Sequence, residues 1–315
     1  MKSLIFVFRV SILSFGIVFS SCKIETAKPN TYKKLVIASD YLNVKDSTLF
    51  TQFEKESGIR VKIIPLNVHD AEELLLENKN NSGIDVLMVK SMKDVIDLQK
   101  KGLFHSLKEG VHFQSKNANY SSEKYNYIGF GYDPYIVATK SGHTHSVRMY
   151  NDLTRQKFST DLSNDELTPL MAPILAKMRR MDANNWVKKF YAMSKRDSII
   201  NDSIQNNLPF LTYYSSYINN PSFKKKNCVY PNTKSTGTFY NLRTIAIVQQ
   251  AENYTSALEF IQFILQPIHN KAINRKLFVV PLESTGLFRK YYLSTEEMIA
   301  YYLTVERLNV KLEEK

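Results

Sequence analysis

Cysteine is nearly absent from this 315-residue chain, and that scarcity bounds what the protein can be. Cys22 and Cys228 are the only two, so no disulfide framework staples the fold and stability must come from a buried core. Beyond the first 21 residues no apolar run reaches the ~18 residues that a membrane-crossing helix needs. Catalytic signatures are missing as well. There is no Gly-x-Ser-x-Gly elbow, no phosphate loop and no His-Glu-x-x-His pair, and Cys228 has no recognisable nucleophile context, so an enzyme is not expected. Zinc-finger spacings and other nucleic-acid motifs do not occur, nor do solenoid-period repeats or low-complexity blocks.

The chain opens instead with a basic start (Lys2, Arg9) joined to an apolar stretch that ends in small residues, the pattern of a secretory signal over residues 1–21. Phe19-Ser20-Ser21-Cys22 resembles the lipobox of bacterial lipoproteins, which implies cleavage before Cys22 and lipidation of its thiol. Residues 22–33 are polar with one proline and suit a tether between membrane and domain. A lipidated Cys22 leaves Cys228 alone. Loss of Lys2 and Arg9 with the signal takes the net charge from +12 to +10; this favours anionic ligands or surfaces, although the basic residues are spread along the chain and read mostly as solvated surface.

From Lys34 the pattern alternates strand and helix. Leu35 to Ala38, Val61 to Ile64 and Ile84 to Val89 are short apolar runs that read as strands. Between them, residues 46–56 carry Leu49, Phe50 and Phe53 on one helical face before Gly58, and Asp70 with Glu73 forms a capping box for a second helix. Ser91 with Asp94 opens a third helix that runs to Gly102. Three such units predict an α/β fold with mostly parallel sheets flanked by helices. Further along, residues 167–191 are helical in character but broken by Pro169 and Pro173. Residues 210–214 read as a strand entering a loop or helix, 244–248 as a buried strand, and 255–266 as a helix. Ser294 with Glu297 opens a last one.

Among 19 tyrosines there are three Tyr-Tyr dipeptides where composition alone gives about one. Tyr213-Tyr214, at the end of the 210–214 strand, is the pair whose surroundings give it meaning. The segments VIASDYLNVKDSTLFTQFEKESGIRVKIIPL, SGIDVLMVKSMKDVIDLQKKGLFHSL and TIAIVQQAENYTSALEFIQFIL, in this order, resemble the type II periplasmic solute-binding proteins of ABC importers, most closely the branch that binds ferric iron. The resemblance covers roughly residues 34–107 and 208–283.

That resemblance implies two α/β lobes with a ligand cleft between them. Lobe one takes residues 34–129 plus 240–287 and lobe two takes 130–239, with a C-terminal helical segment at 288–315. Gly129-Phe130-Gly131 and Gly237-Thr238 are the implied hinges, because glycine absorbs large backbone changes cheaply. It further implies that Tyr213 and Tyr214 hold ferric iron together with Tyr41 from the first-strand loop, since phenolates are hard, charged oxygen donors whose deprotonation the cation itself favours. Many members have His-Tyr in that loop where this chain has Asp40-Tyr41; Asp40 is either a carboxylate ligand in place of the imidazole or the mark of a different ligand. His69, Ser39, Ser91, Thr212 and Arg243 are further candidates for the cleft, the hydroxyls for an oxyanion and Arg243 for a synergistic anion or an interlobe ion pair. The expected protein is a monomer, exported and lipid-anchored through Cys22, that passes ferric iron to an ABC permease without nucleic acid or a catalytic cofactor. Two alternatives stand beside it: a binding protein for an oxyanion or small organic solute, and a non-transport envelope lipoprotein that keeps the fold.

Overall fold

A computed structural model describes residues 33–78, 82–108, 110, 126–139, 147–196, 208–219, 221 and 227–282, with isolated positions between 297 and 304. The signal, Cys22, the tether and most of the segment after 288 lie outside these residues. The described chain from Lys33 onward belongs to one compact unit. Among the described residues no helix is long and apolar enough to cross a membrane.

Ten strands form one sheet: β1 (Lys34–Ser39), β2 (Arg60–Pro65), β3 (Val86–Val89), β4 (Ile128–Thr139), β5 (Phe158–Thr160), β6 (Ser194–Arg196), β7 (Phe210–Tyr213), β8 (Asn227–Val229), β9 (Tyr240–Ile247) and β10 (Val280–Pro281). Their order is β2-β1-β3-β9-β4-β7-β5-β6, with β8 and β10 paired to β4. At each end the pairing is parallel (β1 with β2 and β3, β5 with β6 and β7). The centre departs from the expected mostly parallel arrangement, because β9 runs antiparallel to both β3 and β4, and β4 runs antiparallel to β7. The reason is topological: β4 leaves the first half of the sheet and β9 returns to it, so the two strands cross in opposite directions. β4 pairs with β9 up to Pro134 and with β7 from Tyr135 onward. A register shift lies between Gly129 and Gly131, where Asn270 and Asn274 both donate to the Phe130 carbonyl (2.7 and 2.8 Å).

Among the described residues eight α-helices flank the sheet: α1 (Thr51–Ser57), α2 (Val68–Glu77), α3 (Met92–Lys100), α4 (Asn164–Leu175), α5 (Arg180–Met193), α6 (Tyr214–Asn219), α7 (Tyr254–Leu265) and α8 (Pro267–Lys276). The predicted helix over 46–56 is two pieces, a 3-10 turn at Val44–Phe50 followed by α1, which ends on Gly58 in the left-handed conformation (φ 71°). α2 starts earlier than Asp70: Asn67 is its N-cap and accepts from the Asp70 amide (2.9 Å). Ser91 caps α3 as read. Pro169 and Pro173 both sit inside α4 and do not break it. They are four residues apart and buried, so their missing N–H groups lie on one side of the helix, and the chain breaks only after Leu175.

Period-two alternation sorts the strand side chains onto two faces. Leu35, Ile37, Val86, Met88, Ile245 and Ile247 face α1 and α7, where Phe50 and Phe53 meet Phe260 edge-to-face at 5.0 and 5.1 Å. Ala38, Leu87, Val89, Ala246 and Val248 belong to the opposite core with Ala71, Leu75, Val95 and Leu98 of α2 and α3.

Candidate functional site

The first-strand loop begins with a turn. Ser39 is buried, and its hydroxyl accepts from the amides of Tyr41 and Leu42 (both 3.3 Å), so it shapes the loop instead of facing a ligand. The turn brings Asp40 against the end of β3, where its carboxylate accepts from the Lys90 amide (2.9 Å). Burial raises the Asp40 carboxyl pKa, opposed by Arg243 and by the Lys90 contact. Tyr41 lays its ring over the Arg243 guanidinium, 4.9 Å from carbon to ring centroid, and its own buried hydroxyl has no partner. Burial pushes this phenol well above its ordinary pKa, with Arg243 acting the other way.

Arg243 projects from β9 and is 5% exposed. Its Nη2 donates to Asp133 on β4 (2.6 Å) and to the Ser215 hydroxyl (3.3 Å). Asp133 also accepts from the Ser215 amide (3.0 Å) and hydroxyl (2.5 Å), which pins the start of α6 to the crossing strands. Arg243 Nε and Nη1 are buried with no partner among the described residues.

Tyr213, the last residue of β7, also has its ring near the same guanidinium, 6.0 Å from carbon to ring centroid. Its hydroxyl accepts from Asn241 Nδ2 (2.9 Å), donates to the Glu166 carbonyl (3.1 Å) and sits 3.3 Å from the Tyr135 hydroxyl. Burial raises its pKa, as does Glu166, while the Tyr135 hydrogen bond and Arg243 lower it. Tyr214 diverges from it. As the first residue of α6 it is half-buried, its ring 6.2 Å from that of Tyr230, and it lines a different cavity beside α8. Thr212 points to the other face of β7 and donates to Asp161 (3.1 Å).

Next to this buried cluster opens a polar cavity of about 500 Å³, lined among others by Asp40, His69, Lys90, Ser91, Ser163 and Glu166. Lys90 pairs with Glu166 across it. Burial raises the Glu166 carboxyl pKa, but Lys90 and the hydrogen bonds from Ser163 outweigh that and hold it below its ordinary value. His69, in the first turn of α2, and Ser91, the cap of α3, stand on the wall of this cavity and not in the tyrosine cluster. Among the described residues no group of three or more His, Cys, Asp or Glu is gathered to hold a metal.

Sequence reasoning passed over Asp133, Tyr135, Asn241, Lys90 and Glu166. One signal was available: Asp133 and Arg243 are charges inside otherwise apolar strands, a placement that demands a buried partner.

Three comparisons bear on this architecture. The curated relative "Iron uptake protein A1" from Synechocystis sp. is 21% identical over 243 residues, covering 70% of this chain and 68% of its own. Among solved structures, the Trichodesmium IdiA/FutA protein in complex with iron and citrate superposes with a TM-score of 0.71 at 16% identity, covering 88% of this chain and all of that one. The ferric binding protein from Campylobacter jejuni gives 0.72 at 16% identity with the same coverage. Those likenesses establish the two-lobed mixed α/β fold. The model of the bacterial extracellular solute-binding protein family matches residues 46–278, and the chain belongs to that family.

Proposed function

We propose that the protein is an extracytoplasmic, lipid-anchored binding protein that captures ferric iron, bare or as a chelate, between its lobes and delivers it to an ABC permease. Its lobes are residues 34–129 with 240–287 and residues 130–239, moving about Gly129-Phe130-Gly131 and Gly237-Thr238. The change of partner along β4 and the bulge at Gly129 support this division, as does Gly237 at φ 106°. The observation that carries the reading is the gathering of Tyr41 and Tyr213 against the one Arg243 guanidinium, with Asp40 adjoining.

A charge count supports a trivalent cation. Asp133 neutralises Arg243, and the Tyr41 and Tyr213 phenolates with the Asp40 carboxylate then supply three negative charges in a buried site. An accompanying anion would take the place of Asp40's charge and face Arg243 Nε and Nη1. Closure follows from the ligand's greater affinity for the closed state, and the Lys90–Glu166 pair favours that state. Tyr214 joins the donor set only through a reorientation of α6, so the reading rests on Tyr213 and Tyr41.

Purified protein mixed with ferric citrate is expected to develop a phenolate-to-iron charge-transfer band that Tyr213→Phe weakens and the Tyr41→Phe/Tyr213→Phe double variant removes. Absence of the band, together with no thermal stabilisation by iron, defeats the ferric reading. The second reading, an oxyanion site, rests on the partnerless Nε and Nη1 of Arg243; stabilisation by sulfate or phosphate in iron-free buffer, lost in Arg243→Met, would favour it.

A further inference from the structure

Beside α8 lies a cavity that the ferric reading does not use. It measures about 410 Å³, at the small end of the roughly 300–1,000 Å³ typical of small-molecule pockets. Its two side walls are built from residues spaced i, i+4, which share a helix face. Tyr214 and Ile218 come from α6, and Lys271 and Arg275 come from α8. The floor is Val279, Val280 and Pro281, the first two buried.

Two features of its lining bear on a ligand. Lys271 and Arg275 are exposed, lie one helical turn apart and make no ion pair among the described residues, so both charges are available to an anion in the cavity. Phe278, at the cavity's edge, is held at φ 56° with 42% of its surface in solvent. Phe278 follows the C-cap of α8, where the Val279 amide donates to the Asn274 carbonyl (2.9 Å), so its left-handed backbone belongs to the helix terminus, and its ring lines the cavity. Two cations without ion pairs among the described residues, an apolar stretch and two aromatic side chains line one cavity, which gives it the chemistry to hold both a charge and a hydrocarbon body.

We propose that this cavity binds a small amphipathic carboxylate: its anionic end between Lys271 and Arg275, its apolar body on Val280, Pro281 and Ile218 under the Phe278 ring. The site stands apart from the Tyr41–Tyr213–Arg243 cluster, so it holds whether or not that cluster binds iron. Because α6 follows β7 while α8 and β10 pack on the first half of the sheet, the bound acid touches both halves.

The test is calorimetric titration of the full mature chain, iron-free, with phenylacetate and with its uncharged analogue phenylacetamide. Phenylacetate is expected to bind saturably at one site and about five- to tenfold more tightly than the amide, the factor that two partly exposed cations supply. The Lys271→Gln/Arg275→Gln double variant should lose that factor while keeping its melting temperature. The charge-reversed pair Lys271→Glu/Arg275→Glu should prefer phenethylammonium instead. Absence of saturable binding, equal affinity for acid and amide, or acid binding that survives charge reversal would each overturn the proposal. The ferric charge-transfer band, read on the same variants, should be unchanged, which separates failure of this site from failure of the interlobe one.

Discussion

Asp133→Asn isolates the electrostatics of the crossing strands with almost no change of shape. Asp133 is wholly buried and Arg243 is 5% exposed, so the wild-type pair is neutral in an interior that tolerates no lone charge. Removing one partner of a buried ion pair costs about 3–5 kcal/mol. The lower half of that range applies, because the amide oxygen can still accept from the Ser215 amide and the Ser215 hydroxyl can turn to accept from the new NH2. Asp40 also acts on Arg243 electrostatically but makes no hydrogen bond to it, so it only partly offsets the loss of Asp133. At about 2 °C per kcal/mol for a chain of this size, the melting temperature should fall by roughly 6–8 °C. The urea midpoint should move by about 1–1.3 M if the slope is near 3 kcal/mol/M. Adding Arg243→Met removes the stranded charge, and the double variant should recover most of the loss, because apolar replacement of a buried pair is often neutral or stabilising. An Asp133→Asn protein within about 1 kcal/mol of the parent, or a double variant no more stable than the single one, would refute this reasoning.

Three further outcomes are expected. Gly131→Ala places a Cβ 2.2 Å from Asn274 Oδ1; because Asn274 is buried and its Nδ2 holds the Phe130 carbonyl, it cannot swing away, and thermal melts should show a loss of about 1–3 kcal/mol that Asn274→Ala relieves in the double variant. Ferric binding should release about two protons near neutral pH, one each from Tyr41 and Tyr213, whose pKa values burial raises, so affinity climbs with pH. Calorimetry in buffers of different ionisation enthalpy should find one proton fewer for Tyr213→Phe, and an unchanged count would contradict the assignment; below the raised pKa of Asp40 a third proton joins the release. Cys22→Ala should move the protein from the membrane fraction to the soluble envelope fraction, read by immunoblot, and retention in the membrane would refute lipid anchoring.

Much of the fold was legible because its signals are local. Leu35 to Ala38 and Ile84 to Val89 are apolar runs short enough to be only strands, and Ser91 and Gly58 bound helices through chemistry within four residues. Local reading failed where a long-range contact overrides it. Pro169 and Pro173 look like breakers until the buried face of α4 is known. The antiparallel centre of the sheet depends on β9 returning past β4, more than a hundred residues later in the chain. In the site, the sequence pointed to Tyr213, Tyr41 and Arg243 and to nothing that orients them. Asn241 reaches Lys90 across 151 residues and Tyr213 across 28, and Arg243 meets Asp133 across 110, distances at which spacing carries no information. The Tyr213-Tyr214 dipeptide suggested two donors aimed alike, but the strand ends between them, so one side chain turns into the crossing strands and the other toward α8.

Diffraction data at the iron absorption edge, from crystals of the mature protein grown with ferric citrate, test the central claim most directly. The account predicts one anomalous peak within bonding distance of both the Tyr213 and Tyr41 hydroxyls and next to Arg243. A peak elsewhere, beside Tyr214 and Arg275 or on the His69 wall, or no peak from crystals of the closed form, would contradict it.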